Sequence, residues 1–578
     1  MSGATPGEQD LAAVTAARRA GDWLRVYDRA TRAIREGRAN EEMRYHEALA
    51  LANMEDTERA LARFTEHRLG RSRDPRKRAL AARLLKDQGR LAEAYDGYRA
   101  IFDRSRDYFP GINAASLALL SGQPEEARAL AKRILRLKKV KAAAEYYSAA
   151  TRAEALVILG EADSAAEAIA HAIGLPDAGA GPQSGTLRQL ARVAPAAGIA
   201  SEACRALLDL LRPPASFHYC GHMFVSDEAE ERRLAGAIDA ALKARRAGYA
   251  YGSIAAGADI LVAEAVVRRG GELHIVLPCA LPDFIAQSIR PAGEEWIARA
   301  ERALKRATSV TYASTLDYVS DPSIFGYGTA VAMGLARLKA QQLATHDFQL
   351  AIWDDLPGGP VGTAADVRLW RERGGETQLI DAGPVDRSYK RPREAAPPPL
   401  PRRTAAILFT DYAGFSQLKE SIYPRFDEEI MGRVAEVLAA HDDHVLGRNT
   451  WGDAVYTVLD DCAAGAEFAV DLQRTLNAYD PALLGLEPGH GGMRIALHYG
   501  MVYESRDRVT GLPNFLGNEV ARAARIEPVT PPGDVYVTEP FAAMIALYAP
   551  DRFRCRYVGQ VDLAKKYGAF PMYRLTAR

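Results

Sequence analysis

Two aspartates stand where an apolar strand and a tight hairpin would bring them together. The stretch "AILFTDYAGF" (406–415) is an apolar run that stops on Thr410 and Asp411 before a small-residue turn. Forty-two residues on, "NTWGDAVYTVLD" (449–460) places Asp453 at the turn between two strand-like runs. Two carboxylates side by side repel each other unless they share hard divalent cations through oxygen. Two such ions can activate an attacking oxygen and stabilise a leaving phosphate in an in-line displacement. Either aspartate alone would read as a helix cap or a turn residue. The pair in this order reads as a metal site.

The surrounding pattern supplies the elements that would position the pair. "TAAILFTD" (404–411) reads as a buried strand and the next thirty or so residues as mostly helix. A hairpin at Trp451-Gly452-Asp453 follows, then a helix through "AAGAEFAVDLQRTLNAY". The strand "GMRIALHYGMVY", a helix around "GNEVARAARIE" and the strand "GDVYVTE" come next. The order β-α-β-β-α-β is the ferredoxin-like plan, in which the first strand and the hairpin are neighbours.

These residues resemble class III nucleotide cyclases. "FTDYAGF" is similar to that family's first metal motif and "TWGDAVYTVL" to its second. "RIALHYG" (494–500), "FLGNEVARAARIEPVTPPGDVYVTE" and "YVGQVDLAKKYGAFPMYRL" resemble the strand, helix and closing strand pair that follow. The resemblance covers 403–578. It implies a nucleoside triphosphate substrate, with ATP as the default and GTP, UTP and CTP open. It also implies two Mg²⁺ or Mn²⁺ per site, held by Asp411, Asp453 and the backbone carbonyl of Tyr412. Arg525 matches the transition-state arginine, and Lys565 (or Lys566) stands in the region of the triphosphate-binding lysine. Phe415 closes the first motif on the substrate side. The family's base-reading pair falls on Asn449 and Asn514, two amides that can each donate and accept. Its ribose-orienting asparagine falls on Ala521, with Arg522 beside it as a substitute. His498 is expected to be structural. Metals come from one subunit and the arginine from the other, so a head-to-tail homodimer is implied. The rival reading is a degenerate cyclase-fold nucleotide sensor or signalling scaffold.

The rest of the chain reads as helix, then α/β. Residues 10–212 have helical apolar spacing. Turn positions Gly21, Glu55, Gly89, Gly122 and Gly160 are each followed five residues later by Val26, Ala60, Ala94, Ala127 or Ala165. A period near 34 resembles tetratricopeptide (TPR) repeats, a solenoid whose surface takes protein partners. From 215 to 382 short apolar runs alternate with helices, the rhythm of a parallel sheet. Two Gly-rich turns there, Gly252 with Gly257 and "PGGPVGTAAD" (357–366) with Gly358, Gly359, Gly362 and Thr363, suit an anion at a helix N-terminus. The second resembles the P-G-G-x-G-T-x-x-E turn of the SLOG superfamily, with one extra residue and Asp366 for Glu. The combination with TPR helices resembles TPR-S sensor modules. It implies a small nucleotide-like ligand. Residues 383–402 read as a Pro-rich linker. The fold class expected is thus multidomain: an α-helical TPR-like solenoid, an α/β Rossmannoid, and an α+β ferredoxin-like cyclase domain at 403–578.

Composition excludes several other classes. The 578 residues are too many for one core. Lys+Arg and Asp+Glu balance at 74 each, so neither nucleic acid nor a membrane surface is an expected partner. The five cysteines are scattered without a C-x-x-C, which argues against a zinc site or a disulfide framework and for a reducing compartment. The N-terminus lacks a signal-peptide pattern, and no apolar run is long enough to span a bilayer. A cytoplasmic location is expected.

Overall fold

The computed structural model describes residues 6–19, 21–389, 400–486 and 491–578. Half of the expected Pro-rich linker, 390–399, therefore lies outside the described residues. The chain forms two compact units: Met1–Pro213 with Gln342–Thr345, and Pro214–Gln341 with His346–Arg578.

The first unit is a succession of helices from Pro6–Arg19 to Ser201–Leu211. Short left-handed turns separate the members of each pair. Gly21, Gly89, Gly122 and Gly160 have φ between 71° and 85° there, and Glu55 adopts 61° despite its Cβ. Val26, Ala60, Ala94, Ala127 and Ala165 are each fully buried one turn into the following helix. Small side chains at that position let paired helices approach closely. A sixth such turn, Gly198 at φ 80°, precedes Ser201–Leu211. Ala203 stands five residues on, as in the other turns, but the residue buried there is its neighbour Cys204. The array curls far enough that Gly21 meets the backbone of Gly181, and Arg188 pairs with Glu55 at 3.1 Å.

The second unit holds two sheets. The first has six parallel strands: β1 (Ala215–Gly221), β2 (Ala247–Gly252), β3 (Glu272–Leu277), β4 (Ser309–Tyr312), β5 (Asp347–Trp353) and β6 (Thr377–Asp381). Their order is β4-β3-β2-β1-β5-β6, so the winding reverses beside β1, between β1 and β5. Such a reversal opens a crevice at the carboxyl ends of the strands. Near-continuous burial of β1 and β5 fits a sheet covered on both faces.

The second sheet comprises β7 (Arg402–Tyr412), β8 (Val445–Trp451), β9 (Ala454–Leu459), β10 (Met493–Arg506), β11 (Pro513–Leu516), β12 (Val535–Thr538), β13 (Phe553–Leu563) and β14 (Gly568–Ala577). The path is β13-β14-β12-β10-β7-β9-β8, with β11 paired to β10. Within it β10-β7-β9-β8 follow the split β-α-β order. Strand β7 is central and antiparallel to both neighbours, with Asp411 opposite Arg494 and Thr410 opposite Val455. Gly465 of the helix Cys462–Asn477 seats that helix on the sheet, since a Cβ there would lie 2.7 Å from that of Ala406.

The helix Ser323–Leu343, which joins β4 to β5, makes one of the contacts between the two sheet layers. Tyr327 donates its hydroxyl to the backbone carbonyl of Tyr499 at 2.6 Å. Gly334 packs so closely on the helix Glu539–Tyr548 that a Cβ would overlap the carbonyl oxygen of Ala543. Arg337 donates to the carbonyl of Leu547 at 3.2 Å. Gly334→Val should therefore destabilise this unit by about 3 kcal/mol, since backbone on the facing helix cannot yield as a side chain would. Denaturant unfolding of the full chain checks this. A variant as stable as wild type would mean the two sheets do not depend on this contact.

Candidate functional site

Asp411 sits one residue from the end of β7, and Asp453 follows Gly452 in the β8–β9 turn. Gly452 has φ 63°, which the tight turn requires. The backbone N–H of Tyr412 donates to Asp453 Oδ2 at 3.2 Å, tying the hairpin tip to the strand end. Burial, together with the neighbouring charge of Asp411, pushes the Asp453 carboxyl up to about 6. Phe415 flanks the turn. Its ring packs 4.8 Å from that of Phe426 and would lie 3.6 Å from a Cβ at Gly452.

A third acid, Glu527, joins the pair although nothing singled it out in the sequence beyond its position two residues past Arg525. Burial first, then the charge of Asp411, raise its carboxyl to about 7. Arg494 Nη1 lies 3.6 Å from Asp411 and 3.7 Å from Glu527 and offsets part of the repulsion. Among the described residues, no three His, Cys, Asp or Glu side chains stand where they could hold one metal ion together. Asp411 and Asp453 offer carboxylate oxygen, the hard donor that Mg²⁺ and Mn²⁺ take.

Arg525 and Lys565 form a second group. The N–H of Ala564 donates to the carbonyl of Arg525 at 3.2 Å, so the β13–β14 loop bearing Lys565 is fastened to the turn bearing Arg525. Lys565 is exposed in a left-handed conformation, φ 58°. Among the described residues no hydrogen bond or ion pair links Arg525 or Lys565 to Asp411 or Asp453. Asn449 lies exposed on β8 and Asn514 half-buried on β11. The two strands meet where Gly447 faces Phe515, a Cβ there lying 2.8 Å from the ring.

Arg522 corrects an expectation. It is buried, its guanidinium pairs with Glu519 at 3.0 Å, and it donates to Thr315 at 3.3 Å. With those bonds made inside the protein, it does not substitute for the ribose-orienting asparagine, and the exposed Ala521 beside it stands alone. His498 is fully buried between Thr538 and Glu519, at 2.8 Å from each.

The parallel sheet encloses a cavity of about 520 Å³ at the β1–β5 reversal. Gly358, Gly359, Gly362 and Thr363 line it, and Gly362 caps the helix Thr363–Glu372 with φ 98°. Space at Gly359 and Gly362 is open. Gly252 and Gly257, expected to share this role, do not line it. A Cβ at Gly252 would meet the Tyr219 ring at 2.7 Å, and one at Gly257 would meet Phe224 at 2.7 Å and the carbonyl of His222 at 2.8 Å. Those glycines serve packing.

Two buried carboxyls face the cavity. Burial raises Asp259 to about 7, and its Oδ1 has no hydrogen-bond partner. Burial and then the charge of Asp259 raise Asp366 to about 8. At the rim, burial works against Asp354, but His222 at 2.9 Å and Arg387 hold its carboxyl well below the usual range.

No protein-family model matches the chain, and no curated protein does. Solved structures similar to it include the adenylyl cyclase CyaB from P. aeruginosa, at 14% identity over 30% of this chain and 95% of that one, TM-score 0.27. The guanylate cyclase domain of RhGC from Catenaria anguillulae, in complex with GTP, is 18% identical over 31% of this chain and 99% of that one, TM-score 0.27. Adenylate cyclases from Trypanosoma brucei in their monomeric state are 20% identical over 30% of this chain and 87% of that one, TM-score 0.25. Among the described residues no helix is long and apolar enough to cross a membrane.

The cavity acids give a pH test. An acid whose folded pKa is raised binds a proton in the fold that the unfolded chain has released, so stability falls as pH rises from the unfolded value towards the folded one. For Asp366 that window runs from 3.8 to about 8. Asp366→Asn should flatten the decline by about 1.4 kcal/mol per pH unit within it. Denaturant midpoints of wild type and variant between pH 5 and 8 measure this. Parallel profiles would mean the carboxyl ionises freely in the fold.

Proposed function

We propose that the protein is a nucleotide cyclase that converts a nucleoside triphosphate, ATP by default, to a 3′,5′-cyclic nucleotide and pyrophosphate. The observation that carries this reading is the Asp411–Asp453 pair at a strand end, with Asp453 held by the backbone N–H of Tyr412 and pushed up to about 6 by burial and the charge of Asp411. A scaffold has no use for that repulsion, whereas a divalent cation removes it.

Asp411 and Asp453, with the carbonyl of Tyr412, would hold two Mg²⁺ or Mn²⁺, which when bound make the ribose 3′-hydroxyl more acidic and draw charge from the α-phosphate. The 3′-oxygen forms a bond to the α-phosphorus and releases its proton to solvent. The bond from that phosphorus to the bridging oxygen breaks, and pyrophosphate leaves. Arg525 takes the charge that builds on the α-phosphate, since its planar fork matches two phosphate oxygens. Lys565 pairs with the β- and γ-phosphates. Phe415 borders the nucleotide, and the amides of Asn449 and Asn514 read the base edge.

The resemblance to the cyclase family supports a site completed by a second copy, head to tail. The cavity of the parallel sheet is read as a regulatory site for a small nucleotide-like ligand. Its phosphate would lie at the helix N-terminus beginning at Thr363, and a donor would meet Asp259. The helical array, read as TPR-like, would take a protein partner. A second reading, a nucleotide sensor or signalling scaffold with little turnover, is favoured by one observation: Arg522 is engaged inside the protein, and Ala521 leaves the ribose without a side-chain partner.

The test is the full chain with each of the four triphosphates and Mn²⁺, products resolved by mass. One cyclic nucleotide with equimolar pyrophosphate is expected. Asp411→Ala or Asp453→Ala should lower the rate about 10²-fold or more. Nucleotide binding without product would favour the sensor reading. Mixing Asp411→Ala with Arg525→Ala chains should restore about a quarter of wild-type activity, because half the dimers are mixed and each has one whole site. Inactive mixtures in which mixed dimers form would reject the shared site.

A further inference from the structure

The cyclase reading leaves unexplained why a fully buried carboxylate, Glu519, stands beside the arginine turn. It lies on the short helix Asn518–Ala523 and is 0% exposed. Its oxygens meet three groups from three elements: Ser314 Oγ at 2.9 Å, His498 Nε2 at 2.8 Å and Arg522 Nη1 at 3.0 Å. Arg522 reaches on to Thr315 at 3.3 Å. Ser314 and Thr315 follow β4 of the parallel sheet, and His498 lies on β10 of the other. Burial works against ionisation of Glu519, yet His498, Arg522 and Ser314 hold its carboxyl below the ordinary value. It is held as a carboxylate, not tolerated as an acid.

The bonds continue in both directions. On one side Arg525 N–H donates to the carbonyl of Arg522 at 3.0 Å, and the carbonyl of Arg525 receives Ala564 beside Lys565. On the other, Leu316 N–H donates to Ser314 Oγ at 3.2 Å, and the carbonyl of Leu316 accepts from Ala280 at 3.0 Å. Tyr318 N–H donates to Asp283 at 2.7 Å, and Tyr318 is a wall of the cavity. Tyr327, whose hydroxyl grips β10, is followed directly by Gly328 and Thr329, which also line that cavity. The cavity wall and the arginine turn are thus parts of one hydrogen-bonded body.

We propose that Glu519 is a positioning residue through which the parallel sheet sets the pose of Arg525 for the displacement. This rests on the cyclase reading for its consequence, but not for its geometry. A packed network with a single buried hub transmits a change at Ser314 to Arg522, because Glu519 has no solvent to replace a lost partner. No such demand exists at an exposed pair.

The experiment is a double-mutant cycle in the full chain. Ser314→Ala, Arg525→Ala and the double variant are assayed for kcat and KM with Mn²⁺ and the triphosphate turned over fastest by wild type. Ser314→Ala should lower kcat about ten-fold with KM little changed, and should cost nothing further once Arg525 is gone. The same loss in both backgrounds, or none in either, overturns the proposal. Thr315→Val, which removes only the contact to Arg522, serves if Ser314→Ala does not fold, with the same outcomes. Amide hydrogen exchange across 518–526 is read on the same proteins without turnover. Faster exchange in Ser314→Ala is expected, and unchanged protection overturns the role even if no cyclic product is found. Absence of product in wild type rejects the cyclase reading alone.

Discussion

Strand β7 is paired on both sides, along its whole length with β10 from Tyr412 back to Arg402 and with β9 from Thr410 back to Ala406. That double pairing is the constraint on which the carboxylate site rests. A slip of one residue would exchange the faces of β7 and send Ile407 out of the core that it shares with Val458. Because both neighbours hold the register, Asp411 emerges at the rim opposite Arg494, at the height where the hairpin tip delivers Asp453. The apolar side chains of the strand thus decide where the charge stands. The energy for placing two acids together comes from burial elsewhere in the same strand.

The buried acids of this unit fall into two kinds. Glu519 is surrounded by donors and stays ionised, which makes it a fixed point of structure. Asp453, Glu527, Asp259 and Asp366 are pushed towards the neutral form by burial first, and all but Asp259 also by a neighbouring acid. Under-compensated acids persist where something besides the protein completes them, or where function outweighs their cost. Those four stand in two places, the rim of the antiparallel sheet and the crevice of the parallel one, while Glu539, raised to about 7 by burial, lies elsewhere against Thr311 and Tyr573. The rim and the crevice are also the places where topology leaves strand ends open.

The helix Ser323–Leu343 joins these two places physically. Gly328, Thr329 and Ala332 line the cavity, while Tyr327 meets β10 and Gly334 and Arg337 meet the helix Glu539–Tyr548. A helix with both faces committed cannot move towards one without leaving the other, since close-packed contacts yield in steps rather than smoothly. The cavity and the packing on the other sheet's helix are therefore linked through packed side chains and the backbone approach at Gly334.

What the sequence determined by itself was local. The aspartates at a strand end and a hairpin tip, the left-handed turns spaced along the helical array, and the glycine turn opening a helix at Thr363 are all written in short stretches. Their signals are strand alternation, turn chemistry and helix capping, which act over a few residues. Tertiary structure alone decided the rest. Arg522 reads as a polar substitute beside Ala521, but Thr315, some two hundred residues earlier, and Glu519 claim the arginine. Gly252 and Gly257 read as phosphate-binding residues until Tyr219, Phe224 and His222 fill the space above them. Glu527 gives no signal until β7 brings Asp411 beside it. A side chain's partner depends on which distant segment packs against it, and long-range packing sums many small apolar contacts that no single spacing along the chain records.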